Sequence, residues 1–296
     1  MGEIVGIGLI SHVPTIMLPE SERRGLNNGR EISLVPGLRR LKTEVMERLR
    51  PDTVIVIDTH WASTVEFLVT SHSRRSGLYT SEELPRGMSA VPYDLIGDPV
   101  LAEAIADEVN SAGSFCTAIS DPYLPIHYPT VNLLSYLQAD IIDSERWISI
   151  STVQTGESVD FLTLGRAIER AVSHSDRRVV ILGSGGMSHR FWPLSVIRDH
   201  ESSDLSHIHT QEARAADEQR LEWMRAGLHS HIVDSMDEYR AFAPEGRFGH
   251  YLAMIAAVGG RHSSVTGEQF SDYENAVGTG QVHVWFERPE SGWPRR

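Results

Sequence analysis

The 296-residue chain holds a single cysteine, Cys116. That excludes an intrachain disulfide framework and any cysteine-rich zinc site, and it suits a reducing compartment. A small core residue is the simplest role for this thiol. Positive charge is scarce too: 27 Lys and Arg stand against 40 Asp and Glu, a formal net charge of −13. A polyanion needs a basic face to release its counterions, so neither nucleic acid nor an anionic membrane is expected as a partner. The apolar stretch in the opening MGEIVGIGLISHVP is too short to span a bilayer, and no basic segment precedes it. This predicts a soluble, cytoplasmic protein. Internal repeats, low-complexity tracts and linker-like shifts in composition are missing as well. The expectation is one domain over residues 1–296, acting on a small molecule.

What is present is a set of short β-branched runs. IVGIGLI (4–10), TVIVI (53–57) and RVVILG (178–183) show no alternation, as expected of strands buried on both faces of a parallel sheet. WISISTV (147–153) and QVHVWF (281–286) alternate more and predict strands nearer an edge or with one wetter face. Asp98 followed by Pro99 has the form of an N-cap and first-turn proline, opening a helix through Val109 with Gly113 as terminator. Residues 159–173, 210–226 and 249–258 have helix-compatible spacing. The polar stretches 20–31 and 71–90 read as surface loops. Strands alternating with helices predict an α/β fold: a single three-layer α/β/α domain on a mixed, mostly parallel sheet.

Three of these strands end on a histidine. ISHVPT carries His12, DTHW carries His60 and GSGGMSHRF carries His189. In open α/β sheets the carboxyl ends of the strands form the ligand crevice, so the three would converge. A histidine alone is more often structural or exposed. Two imidazoles and a carboxylate can hold a divalent metal with positions left open for substrate and oxygen when the metal is ferrous. His12 and His60 are the candidate pair if their strands are neighbours. Glu245, between Pro244 and Gly246 before an apolar helix, is a candidate carboxylate and equally an ordinary acid favoured by a helix N-terminus. GSGGMSH lacks a Walker lysine, the GxGxxG pattern and the GxSxG frame, so it reads best as a sharp turn bringing His189 over a pocket. His127, among prolines in PYLPIHYPTVNLL, is a possible second acid/base group or a plain loop residue.

Together SHVPT, DTHW, YTSEELP, GSGGMSHRF, PEG before an apolar helix, and GTGQV resemble the type II (class III, LigB-like) extradiol ring-cleaving dioxygenases. Within that family they are most similar to the homoprotocatechuate (3,4-dihydroxyphenylacetate) 2,3-dioxygenases. The motifs run in order from residue 11 to residue 282. The resemblance implies iron(II) held by His12, His60 and Glu245, with His189 as acid/base histidine and a catechol and dioxygen as substrates. A muconic semialdehyde is the implied product and a homo-oligomer the implied assembly. His127 is the candidate acid, and Tyr128 and His250 are candidates for substrate contact. A carboxylated substituent would want a cation, and Arg190 or Arg247 lies near the motifs, although an arginine is more often an ordinary surface residue. Two rival readings remain: a non-catalytic interaction protein of the same fold, and a zinc or manganese hydrolase with the same ligands.

Overall fold

The computed structural model describes residues 1–294. Its strands are β1 (Glu3–Ile10), β2 (Thr53–Ser63), β3 (Phe67–Thr70), β4 (Arg74–Tyr79), β5 (Val91–Ile96), β6 (Cys116–Ile119), β7 (Arg146–Val153), β8 (Arg178–Ser184), β9 (Gly267–Gln269), β10 (Glu274–Ala276), β11 (Thr279–Gln281) and β12 (His283–Glu287). The main sheet has the order β4-β5-β7-β2-β8-β1-β12-β9, with β3 and β6 joined beside β7. Its centre, β7-β2-β8-β1, is parallel, and β12 and β9 continue it antiparallel. This is the expected mixed α/β sheet.

Successive residues of β2 explain the layers. Ile55 and Ile57 join one core with helices Pro99–Ser111, Ser158–His174 and Gly249–Ala256. Val54 and Val56 join the other with helices Leu34–Arg40 and Tyr128–Leu137. All four are fully buried, each worth roughly 1.5–3 kcal/mol relative to exposure. Asp98 caps its helix as expected, accepting from the Leu101 N–H at 3.2 Å, and Cys116 is a buried core residue.

Four expectations are corrected. The strands carrying His12 and His60 are not neighbours, because β8 lies between them; hydrophobic pattern identifies strands but carries no strand order. β7 and β12 have no wetter face, being buried along nearly their whole length, although β12 does lie near an edge, one strand in from β9. Their alternation comes from polar residues satisfied inside the protein: Ser151 Oγ accepts from the Leu68 N–H, and the His283 ring reaches the Ser11 N–H and the Leu34 carbonyl. The stretch 20–31 contains the helix Glu20–Leu26, and 71–90 contains β4. Tyr128–Leu137 is a helix rather than loop, with Pro129 in its first turn where a missing N–H is harmless.

The apolar helix Gly249–Ala256 follows Glu245 and packs on helix Ser158–His174 through Gly165, where an added Cβ would lie 2.6 Å from Ala256 Cβ and clash with the Ala253 carbonyl. Gly165→Ala is therefore expected to lower stability by about 1–3 kcal/mol. A fall in the urea midpoint at unchanged m-value is the measurement.

Candidate metal centre

Each strand end delivers its side chain by a specific device. In β2 the pairing with β7 slips between Asp58 and Ala62, a bulge containing Thr59, His60 and Trp61. The buried Asp58 carboxylate holds the bulge by accepting from the His60 and Trp61 N–H groups at 3.0 and 3.1 Å. Bulges commonly re-aim side chains beside active sites, and this one turns His60 toward the crevice. His12 follows β1 directly. Its carbonyl accepts from Asn132 Nδ2 at 2.7 Å, and its Nδ1 lies 2.8 Å from Ser184 Oγ at the end of β8.

Glu245 reaches the same point from the opposite side of the chain. Its N–H donates to the Met187 carbonyl, its Oε1 accepts from Thr59 Oγ1 and its Oε2 from the Gly186 N–H. The backbone then makes three consecutive left-handed residues, Gly246, Arg247 and Phe248, at φ of 52°, 59° and 59°. At Gly246 a Cβ would stand 2.7 Å from Thr59 Cγ2, so glycine permits both the turn and the close approach. Left-handed backbone at two non-glycine residues is strain of the kind concentrated at functional sites.

The side chains converge. His12 Nε2 lies 3.2 Å and His60 Nε2 3.5 Å from Glu245 Oε1, and His189 Nε2 is 3.6 Å from Oε2. Ligand atoms of His12, His60 and Glu245 fall within 4.8 Å of one another. The outer nitrogens are engaged as well: His60 Nδ1 is 3.3 Å from Glu83 Oε1, mirroring His12 on Ser184. Such outer partners fix the tautomer and aim the inner nitrogen of a metal-binding imidazole.

Burial opposes the charge on Glu245, yet the His189, His12 and His60 imidazoles hold its carboxyl well below the usual range. Burial also opposes a charged His60, but Glu83 and Glu245 outweigh it and raise the ring. At His189 burial wins and lowers the imidazole. Tyr128, whose hydroxyl is 2.5 Å from His60 Nε2, is raised by burial and then by Glu245 and Glu83.

A cavity of about 240 Å³ opens on this group, bordered by His12, His60, Tyr128, His189 and Glu245. His127 is not on its wall; its ring stacks on Trp61 at 5.9 Å. His250 also lies off the wall, fully buried against Gly185 with neither ring nitrogen hydrogen-bonded and its pKa lowered by burial to about 4. Sequence reasoning passed over Glu83, which stands in the quoted YTSEELP, and over Asp58 and Thr59 beside His60. It also missed Asp217, whose only signal would have been its burial. Asp217 accepts from the N–H and Oγ of Ser188 and from the hydroxyls of Tyr239 and Tyr273, anchoring the loop that ends on His189. Burial raises its carboxyl to about 6 despite these donors.

With this geometry in place, comparison with known proteins gives the class. The family described as the catalytic LigB subunit of aromatic ring-opening dioxygenase matches residues 6–287, and the chain belongs to it. It is an extradiol-type, aromatic ring-cleaving dioxygenase. More particularly, it is 29% identical to the 3,4-dihydroxyphenylacetate 2,3-dioxygenase of Escherichia coli, over 88% of this chain and 91% of that protein. It is 22% identical to the 2-aminophenol 1,6-dioxygenase beta subunit of a Pseudomonas species, over 99% and 97% of the two chains. A solved structure of an uncharacterized Escherichia coli K12 protein shares the fold at a TM-score of 0.63 and 14% identity, covering 95% of this chain and 99% of that one.

Asp217→Ala would strand four buried donors and is expected to destabilise the protein by about 3 kcal/mol or more. Thermal unfolding followed by near-UV circular dichroism reads the loss as a lowered Tm.

Proposed function

We propose that the chain is an iron(II)-dependent extradiol dioxygenase that opens a catechol ring beside, rather than between, its two hydroxyls to give a muconic semialdehyde. The observation carrying this reading is the meeting of His12, His60 and Glu245 within 4.8 Å in a chain of the ring-opening dioxygenase family. Two neutral imidazoles and one carboxylate, with outer nitrogens already engaged, suit ferrous iron with exchangeable positions. Iron supplies joint binding of the catechol oxygens and dioxygen, with electron density passed between them.

The chain's own groups handle protons and orientation. His189, kept toward its neutral form by burial, takes the second phenolic proton through Nε2, the nitrogen that faces Glu245. Tyr128 lines the cavity and burial keeps its hydroxyl protonated, so in this reading it donates a hydrogen bond to the bound substrate. His127, stacked on Trp61 and off the cavity wall, is not placed to act as the acid in this reading. Glu83 orients His60, and Asp217 holds the turn from which His189 projects.

Among the described residues no helix is long and apolar enough to cross a membrane. Cytoplasmic placement and a homo-oligomer belong to the same reading; the relative named as a beta subunit supports assembly of subunits as such. Light scattering would give a mass of at least twice 33.0 kDa.

Aerobic assay of iron-reconstituted protein with 3,4-dihydroxyphenylacetate, protocatechuate, catechol and 2-aminophenol is the direct test, expected to show oxygen uptake and a yellow product. Turnover that ignores oxygen would favour the zinc or manganese hydrolase instead. His12→Ala and Glu245→Ala are expected to lose iron on dialysis, read by metal analysis. Glu83→Gln should weaken iron binding by about 10–100-fold. By contrast, His189→Ala should retain iron and catechol binding while losing turnover by about 100-fold or more; full activity in that variant would remove His189 from the mechanism.

A further inference from the structure

The cavity that opens on the candidate metal centre is also bordered by Glu274, Asn275, Asn27 and Ser203. Its charge is lopsided. Among the described residues Arg23 and Arg86 are the arginines bordering it, and both are engaged. Arg23, 5% exposed, forks onto both Glu31 carboxylate oxygens at 2.8 and 2.9 Å and donates to the carbonyls of Ile16 and Leu18. Arg86 is exposed and paired with Glu201 at 3.3 Å. The two arginines that the sequence offered for a substrate carboxylate point elsewhere: Arg190 donates to the Ala241 carbonyl and Arg247 pairs with Glu157, and neither borders the cavity.

On the acidic side, Glu83, Glu201 and Glu274 border the cavity in addition to Glu245. Glu83 is matched by His60 and Glu201 by Arg86. Glu274 is different. It is only 8% exposed, its Oε1 accepts from the Ser33 N–H at 2.7 Å, and its buried Oε2 has no hydrogen-bond partner. Its polar neighbours donate elsewhere: Asn275 Nδ2 to the carbonyls of His200 and Ser202, and Asn27 Nδ2 to the carbonyl of Arg23. A buried acceptor left open is costly until a donor meets it.

Resting on the dioxygenase reading above, we propose that Glu274 is a specificity-determining residue that receives a hydrogen-bond-donating, positively charged ring substituent. The preferred substrate class is then a catechol with an amine-bearing side chain, rather than the carboxylated catechol named for the Escherichia coli relative. A substrate carboxylate in that position would face Glu274 with no free cation to balance it, whereas an ammonium would complete the open oxygen.

Three catechols whose side chains carry a positive charge, no charge and a negative charge separate the possibilities: 3,4-dihydroxyphenethylamine, 4-ethylcatechol and 3,4-dihydroxyphenylacetate. Each is measured for kcat/KM with the iron-loaded enzyme and for affinity by anaerobic calorimetry. The amine is expected to exceed the acetate by about tenfold or more in both readouts, with the ethyl compound between them. Glu274→Gln keeps an acceptor for the Ser33 N–H and should shrink that preference to within about threefold while leaving 4-ethylcatechol unchanged. Equal or better use of the acetate by the wild type, or an unaltered preference in the variant, overturns the assignment. Amine-selective binding without ring cleavage would instead sink the dioxygenase reading and leave Glu274 standing. If the variant does not fold, the wild-type order alone decides.

Discussion

The rest of the site depends on one buried carboxylate being surrounded by imidazoles. Glu245 is 7% exposed and carries its charge where burial alone would neutralise it. An unpaired ion there would be strongly destabilising, so the fold has to bring His12, His60 and His189 within reach of the same two oxygens. The same requirement makes the site a natural cation cradle, because imidazoles gathered round an anion present their lone pairs to whatever cation replaces their protons.

Meeting that requirement distorts the backbone locally. β2 gives up regular pairing to form the bulge at His60, and the chain after Glu245 runs through three left-handed residues. Both distortions are held by paired polar groups: Asp58 under the bulge, Thr59 and the Gly186 N–H on the Glu245 carboxylate. The fully buried helix Gly249–Ala256 then fixes the turn from below by packing on its neighbour. The candidate site thus sits on rigid elements, with Asp217 giving the His189 loop similar support.

Charge organises the rest of the cavity wall as well. At the candidate metal centre anion and imidazoles balance, whereas at Glu274 an acceptor is left open. The overall excess of acid, useless for reading nucleic acid, is consistent with a site whose remaining need is for donors.

Much of this was legible in the residues. β-branched runs located β1, β2 and β8, their terminal histidines located the crevice, and a capping pair located helix Pro99–Ser111, because these signals are local and periodic. Less visible were helix Tyr128–Leu137, concealed by flanking prolines, and strand β4, concealed by a polar surface. Burial of β7 and β12 was masked by polar side chains that find partners only in the folded state. By itself the sequence determined the α/β class and which side chains had the chemistry for a metal centre, since strand pattern and donor type are properties of single segments. Only the tertiary structure decided that β8 separates the two histidine strands, that Tyr128 rather than His127 faces the cavity, and that Glu274 is left open. Strand order, side-chain direction and hydrogen-bond satisfaction all depend on which distant residues become neighbours.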